Sequence, residues 1–173
     1  MLVFDHGCRQ KIKTEEDETM RSAQQWFDEY GESHRNPVNK AIHWVAVPVI
    51  YATVVGLLWA IPQPALMAQI PWLNWAVVAL IPTLLFYLLM SFPLALGMAA
   101  MSVVCLWGWS VVERLGISVW LTSIALFVVM WILQFVGHHI EGKKPSFFKD
   151  LQFLLIGPAW VIGFVYRQLG IKY

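Results

Sequence analysis

Four of the chain's five histidines lie in two short polar segments. His34 and His43 belong to "SHRNPVNKAIH", and His138 and His139 stand together in "GHHIEGKK", closely followed by Glu141. His138 and Glu141 are spaced i and i+3, so a continuing helix would present both on one face. Neutral imidazole and carboxylate suit divalent iron, zinc or copper, and two or more histidines with a carboxylate and open positions suit iron(II) with oxygen.

Pro37 bears on whether His34 and His43 can face one point. Residues nine apart lie on opposite sides of a straight helix. Pro37 disfavours helical geometry at Asn36 and suits the first position of a helix. We therefore expect a helix ending near Ser33, a turn, and a new helix from about Pro37, which would let both imidazoles meet.

The same residues also have a structural interpretation. A single histidine at a membrane interface is usually an anchor or a hydrogen-bonded structural group. Glu141, followed by Lys143 and Lys144, could belong to a solvated charged turn. His139 lies about 100° from His138 around a helix, so we expect only one of the pair to point inward.

The composition indicates a membrane protein. Of the 173 residues, 58% are hydrophobic and 13% charged, and the mean hydropathy is +0.59, whereas a soluble domain has roughly a quarter of charged residues. The net charge of +1 and the absence of a basic stripe give no indication of nucleic acid. Cys8 and Cys105 lack the spacing of a disulfide framework or a zinc site.

Four apolar runs approach the ~20 residues that a membrane-spanning helix needs. The sequence predicts an all-α integral membrane protein, a four-helix bundle with spans near 41–61, 72–90, 94–112 and 117–137. Short connections favour an up-and-down antiparallel order. Pro48 and Pro82 fall inside spans, where they predict kinks rather than helix ends.

A fifth run, near 151–166, is shorter, and Gly157-Pro158 interrupts it. This predicts an extra interfacial or re-entrant C-terminal helix, with a tilted fifth span as the alternative. Residues 1–19 form a polar tail without the apolar stretch of a signal peptide. We expect residues 20–173 to form a single membrane domain.

The basic residues predict the orientation. Lysines and arginines concentrate at both ends of the chain, and the connections between the four spans contribute only Arg114. By the positive-inside rule both termini are cytoplasmic, which brings His34, His43, His138 and His139 to that face. We expect a bacterial inner membrane rather than the endoplasmic reticulum.

Two segments resemble a known family. They are "YGESHRNPVNKAIHWVAVP" (30–48) and "QFVGHHIEGKKPSFFKDLQFLLIGPAW" (134–160). They are similar to the 2-hydroxy fatty acid dioxygenases, first catalogued as a domain of unknown function, whose fungal members act in the breakdown of phytosphingosine to odd-chain fatty acids. The resemblance covers roughly 21–168. It implies an Fe²⁺-dependent α-oxidation, in which a 2-hydroxy fatty acid and dioxygen give the acid one carbon shorter.

The family motifs map onto this chain residue by residue. The pattern Tyr-x₃-His-x₄-Asn-x₃-His falls on Tyr30, His34, Asn39 and His43, and Gln-Phe-x-Gly-His falls on Gln134, Phe135, Gly137 and His138. The chain departs from the fungal form at Glu141, which follows His138 by three residues instead of four, and at Pro145-Ser146, where the family has Pro-Ala. The departure leaves open whether Glu141 or His139 is a direct ligand.

The resemblance also implies roles. His34, His43 and His138 would hold the metal, with His139 or Glu141 as a weak or indirect ligand, because a chelating 2-hydroxy acid and dioxygen need open positions. Residues that orient the ligands or take part in catalysis would be Tyr30, Asn39 and Gln134. Those that attract the substrate carboxylate would be Arg35, Lys143 and Lys144. The acyl chain would lie between the spans.

Other classes remain open at this point. One is a non-enzymatic lipid-binding or scaffold membrane protein with structural histidines. Another is a haem-binding membrane protein, although paired haem ligands normally lie inside the spans. A di-iron desaturase needs more clustered histidines than this chain has. The expected partners are the fatty acid, dioxygen and membrane lipid, with no obligate protein partner.

Overall fold

The computed structural model describes residues 21–142 and 147–173. Within these residues six α-helices follow one another in the order α1 (Ala23–Gly31), α2 (Pro37–Trp59), α3 (Trp75–Met90), α4 (Phe92–Arg114), α5 (Val119–Glu141) and α6 (Phe147–Gln168). A short 3₁₀ helix, Met67–Gln69, lies between α2 and α3, and the described residues contain no strand. The predicted all-α class is therefore confirmed, and the predicted tail 1–19 lies outside the described residues.

Helix α2 is the centre of the fold. It packs against α3, α4, α5 and α6. Its start follows from local sequence: the Asn36 side chain accepts hydrogen bonds from the backbone N–H groups of Val38 and Asn39, and Pro37 occupies the first turn, where its missing N–H costs nothing. The predicted turn between two helices is confirmed, because α1 ends at Gly31 and α2 begins at Pro37.

Three of the described helices are long and apolar enough to cross a membrane, namely α2, α4 and α5, with 23 residues each. Helix α3 has only 16 residues, about 24 Å at 1.5 Å per residue, against a hydrocarbon core of roughly 30 Å. The Asn74 side chain caps α3 by accepting from Val77 N–H, so Trp72 and Leu73 precede the helix and the run predicted for 72–90 is shortened. Four complete crossings stay a prediction.

Helix α6 runs through Gly157 and Pro158 as one element of 22 residues, so the expected interruption there is wrong. Burial of Ile156 and Trp160 against the bundle offsets the hydrogen bond that a proline removes. Gly157 brings α6 close to its neighbours, since a Cβ at this position would lie 3.2 Å from Tyr30 Oη. The interfacial or re-entrant placement of α6 stays a prediction.

Candidate metal centre

Three buried imidazoles meet at one end of the α2–α5 pair. His34 lies in the turn before α2, His43 on the second turn of α2, and His138 near the C-terminal end of α5. Their side chains are 3%, 1% and 7% exposed. One ligand nitrogen from each lies within 4.8 Å of the others, and the ring centroids are 4.3–5.5 Å apart. The fold therefore brings together the two polar segments singled out in the sequence.

Backbone carbonyls orient two of these imidazoles. His34 Nδ1 lies 2.6 Å from the Tyr30 carbonyl oxygen, and His43 Nδ1 lies 3.0 Å from that of Asn39. Because a carbonyl can only accept, each Nδ1 donates and each Nε2 keeps its lone pair. His34 Nε2 is buried without a hydrogen-bond partner among the described residues. Metal-binding histidines are typically held in this way.

Burial also keeps the His34 imidazole neutral. It lowers the pKa of His34 from 6.5 to about 4, outweighing the Tyr30 carbonyl, which raises that pKa, while the neighbouring His138 lowers it further. At pH 7 the ring therefore offers a lone pair instead of a positive charge. A set of three imidazoles fits a divalent transition metal such as iron, zinc or copper.

Glu141 lies outside the group of three possible ligands. Its carboxylate connects the C-terminal end of α5, which carries His138, to the turn that carries His34. Its Oε1 accepts from the Arg35 N–H at 2.9 Å, and its Oε2 accepts from the Asn36 N–H at 2.9 Å and from Asn39 Nδ2 at 3.0 Å. The carboxylate also sits at the N-terminus of α2, where the helix dipole favours negative charge. These bonds hold the end of α5 against the turn that carries His34.

Gly137 allows α2 and α5 to approach closely beside the histidines. A Cβ at this position would overlap Asn39 Oδ1 and would lie 3.4 Å from His43 Cε1. Asn39 is fully buried, and its Nδ2 also donates to the Ser33 carbonyl at 3.0 Å. Asn39 thus connects the Glu141 carboxylate, through its side chain, to the carbonyl that orients His43.

The cluster borders a small cavity of about 40 Å³. The Tyr30 ring stacks on His34, with 4.2 Å between centroids and 15° between planes, and Gln134 contributes to the wall. The remaining lining residues are mostly apolar: Val47, Ile50, Trp131, Phe153 and Leu154. Tyr30, Asn39 and Gln134 therefore all lie around the cluster, and their catalytic roles stay predictions.

Other predicted site residues lie elsewhere. His139 is exposed, on a different face of α5 from buried His138, as expected for a pair of which only one points inward. Arg35 is exposed and borders an open groove of about 1140 Å³ that also reaches His34. Lys143 and Lys144 lie outside the described residues.

Trp131 lines the cavity but is absent from the residues predicted above. A signal for it exists in the sequence, because Trp131, Gln134 and His138 are spaced i, i+3 and i+7 and so share one helix face. In an almost wholly apolar helix this spacing does not separate a cavity wall from a lipid-facing surface.

The fold and the site together define a class: the described residues are all-helical, include three apolar helices long enough to span a membrane, and form a buried three-histidine cluster that could bind a metal. A family model described as 2-hydroxy-palmitic acid dioxygenase Mpo1-like matches residues 20–169. The chain belongs to this Mpo1-like family, which confirms the resemblance noted in the sequence. Comparisons with curated proteins and with solved structures gave no match.

Proposed function

We propose that this protein is an Fe²⁺-dependent dioxygenase that converts a 2-hydroxy fatty acid to the acid one carbon shorter. The observation that carries the proposal is that three buried imidazoles from two distant segments of the chain, those of His34, His43 and His138, meet within 4.8 Å. The family description supplies the reaction class. When bound, Fe²⁺ supplies the Lewis acidity and redox chemistry for the reaction between the hydroxy acid and dioxygen.

The protein's own residues would prepare the site. Tyr30 holds His34 through its carbonyl and its stacked ring, and Asn39 holds His43 through its carbonyl. Glu141 fixes the turn that joins these two segments. Preorganised ligands of this kind lose little conformational freedom when the ion binds, and three imidazoles leave other coordination positions to the substrate and dioxygen.

The open groove beside His34 supports a lipid-derived substrate. The aromatic side chains of Trp44 and Trp160 line it, together with the basic residues Arg35 and Lys40 and the acidic residues Asp28 and Glu32. We propose that the basic residues, together with Lys143 and Lys144, attract the fatty acid carboxylate at the membrane surface. The apolar wall would then accept the acyl chain.

The membrane placement belongs to the same proposal. Basic residues at both ends of the chain favour cytoplasmic termini, and the three long apolar helices are compatible with an integral membrane protein. The metal centre would then lie near the cytoplasmic face. We propose a bacterial inner membrane as its location.

The two alternative classes account for the site less well. A haem does not fit the cavity of about 40 Å³ that all three imidazoles border, because a porphyrin is far larger than this space, and the larger groove borders only one of them, His34. Purely structural histidines leave the buried Nε2 of His34 without a partner among the described residues, at a cost of about 1–3 kcal/mol. A bound cation removes that cost.

The test is metal content and turnover of protein purified anaerobically. We expect near-stoichiometric iron in the wild type and in His139→Ala, and conversion of 2-hydroxyhexadecanoic acid to pentadecanoic acid by both once dioxygen is admitted. His43→Ala should lose both the iron and the product. Elemental analysis and mass spectrometry of the extracted acids provide the two measurements.

The outcomes separate the metal from the chemistry. If the wild type binds zinc but not Fe²⁺, the three histidines form a metal site, and the proposal of dioxygenase activity is wrong. If the wild type binds no metal after reconstitution, the structural interpretation of the histidines replaces the proposal. Full activity of His43→Ala would remove His43 from the site.

A further inference from the structure

Trp131 places a buried hydrogen-bond donor next to the metal centre. Its indole Nε1 is shielded from solvent, and no acceptor for it occurs among the described residues. An indole nitrogen can only donate, and a buried donor without an acceptor costs free energy. The position therefore favours a ligand that brings an acceptor.

The cavity beside Trp131 is also the one that His34, His43 and His138 border. The Trp131 ring packs against Phe127 and Phe135, with centroids 5.9 and 5.8 Å away. These apolar contacts position the indole without offering an acceptor to its N–H. A molecule in the cavity would therefore be bordered by the Trp131 side chain as well as by the imidazoles.

Two other indoles of the bundle show the usual arrangement. Trp109 Nε1 donates to the Ala52 carbonyl at 2.7 Å, and Trp75 Nε1 donates to the Pro62 carbonyl at 3.1 Å. Buried tryptophan N–H groups generally find such partners. Trp131 differs from both, and it is the one of the three that lines the metal-centre cavity.

We propose that the Trp131 N–H donates a hydrogen bond to the carboxylate of the bound 2-hydroxy fatty acid and so fixes the head group at the metal centre. A carboxylate has several acceptor lone pairs, and a hydrogen bond to a charged acceptor is about twice as strong as one between neutral groups. Trp131 is thus a substrate-binding residue that does not bind the metal. The inference rests on the proposed function.

Direct binding tests this assignment without turnover. The dissociation constant of 2-hydroxyhexadecanoic acid would be measured by anaerobic calorimetry on Fe²⁺-loaded wild type, Trp131→Phe and Trp120→Phe. Phenylalanine keeps the aromatic packing and removes the N–H. We expect Trp131→Phe to keep its iron and to bind the acid about tenfold more weakly or worse. Trp120, 52% exposed on the same helix, provides the matched control and should bind like the wild type.

A second ligand separates hydrogen bonding from packing. 1,2-Hexadecanediol keeps the chain and the 2-hydroxyl but has no carboxylate, so it should bind the wild type and Trp131→Phe equally. A loss of affinity for acid and diol alike would assign Trp131 to packing, and a loss of iron would assign it to the metal centre. Either result, or unchanged affinity for the acid, overturns the inference. A wild type that loads iron but binds no 2-hydroxy acid would contradict the proposed function itself.

Discussion

In the middle of the helix bundle, the Tyr51 and Ser102 hydroxyls hydrogen-bond at 2.7 Å, and Trp109 donates to a backbone carbonyl. At the candidate metal centre, His34 Nε2 and Trp131 Nε1 are shielded from solvent, yet they meet no partner in the described part of the chain. These bundle groups therefore satisfy one another or the backbone, whereas the two groups at the candidate centre are the ones for which ligands are proposed above. Unsatisfied buried groups in a folded protein commonly mark such a functional site.

The two regions share one packing device. The α2–α5 pair has a glycine near each end, Gly137 beside the metal centre and Gly56 at the other end of the pair. Neither has room for a Cβ: at Gly137 it would overlap Asn39 Oδ1, and at Gly56 it would overlap Ser123 Oγ and lie 2.5 Å from the Trp109 ring. Ser123 Oγ also has no hydrogen-bond partner among the residues that the structure describes, but it lies within this tight helix contact. The same close approach thus occurs in the bundle at one end of the pair and beside the three-histidine cluster at the other.

Alanine at the two glycines gives the largest predicted effect. We expect Gly137→Ala and Gly56→Ala each to lower the free energy of unfolding by about 1–3 kcal/mol, because the added methyl overpacks the helix contact. Only Gly137→Ala should also weaken iron binding, by about 10–100-fold, since it displaces Asn39 and His43. Denaturant titration in detergent and anaerobic iron titration measure the two effects.

Gly108 provides the control for this pair. It lies inside α4 with nothing within 4 Å of a Cβ, so Gly108→Ala should leave stability unchanged or raise it by about 0.5–1 kcal/mol. Equal loss of iron affinity in Gly137→Ala and Gly56→Ala would show that the two ends of the helix pair do not differ in the proposed way.

A smaller effect is predicted for Glu141→Gln. The amide oxygen can replace one carboxylate oxygen, but the amide NH₂ opposes the N–H groups that now donate to Glu141. The turn that carries His34 should shift, and iron affinity should fall about tenfold. Iron titration measures this loss, and Glu113→Gln, an exposed carboxylate at the end of α4, should retain wild-type affinity. Unchanged iron binding in Glu141→Gln would contradict the inference that the hydrogen bonds of Glu141 hold His34 in place for the metal.

The smallest effect is predicted for the bundle interior. Tyr51→Phe removes the hydroxyl that meets Ser102, but Ser102 Oγ still donates to the Met98 carbonyl at 2.7 Å. We expect a loss of about 1 kcal/mol in the free energy of unfolding, with iron content and turnover equal to those of the wild type. A clear loss of iron from Tyr51→Phe would mean that the interior and the metal centre are coupled.

The parts of the candidate metal centre that depend on local helix and turn geometry can be predicted from the sequence. Pro37 and the capping Asn36 set the turn between His34 and His43, and the 100° step of a helix separates His138 from His139. The role of Glu141 was not accessible in this way. It depends on how far α2 and α5 approach each other, which Gly137 and Asn39 determine through a long-range contact.

The helix boundaries likewise depend partly on local sequence and partly on tertiary packing. The run 72–90 is apolar throughout, but the Asn74 cap begins α3 inside it, and hydropathy alone does not detect a cap. Pro158 predicts an interruption of the helix, yet the burial of Ile156 and Trp160 against other helices keeps α6 continuous. Trp131 could not be distinguished from a lipid-facing tryptophan, because the cavity forms only when α2, α5 and α6 pack together.

The distance along the chain between His43 and His138 has a consequence for biosynthesis. A ribosome adds roughly 5–20 residues per second, so His138 is synthesised several seconds after His34 and His43. Until α5 emerges and inserts, the nascent chain holds two histidines and no complete set of ligands. Binding of the proposed Fe²⁺ would therefore be a late event in the maturation of this protein, and a chain truncated before α5 would leave the ribosome without the three-histidine cluster.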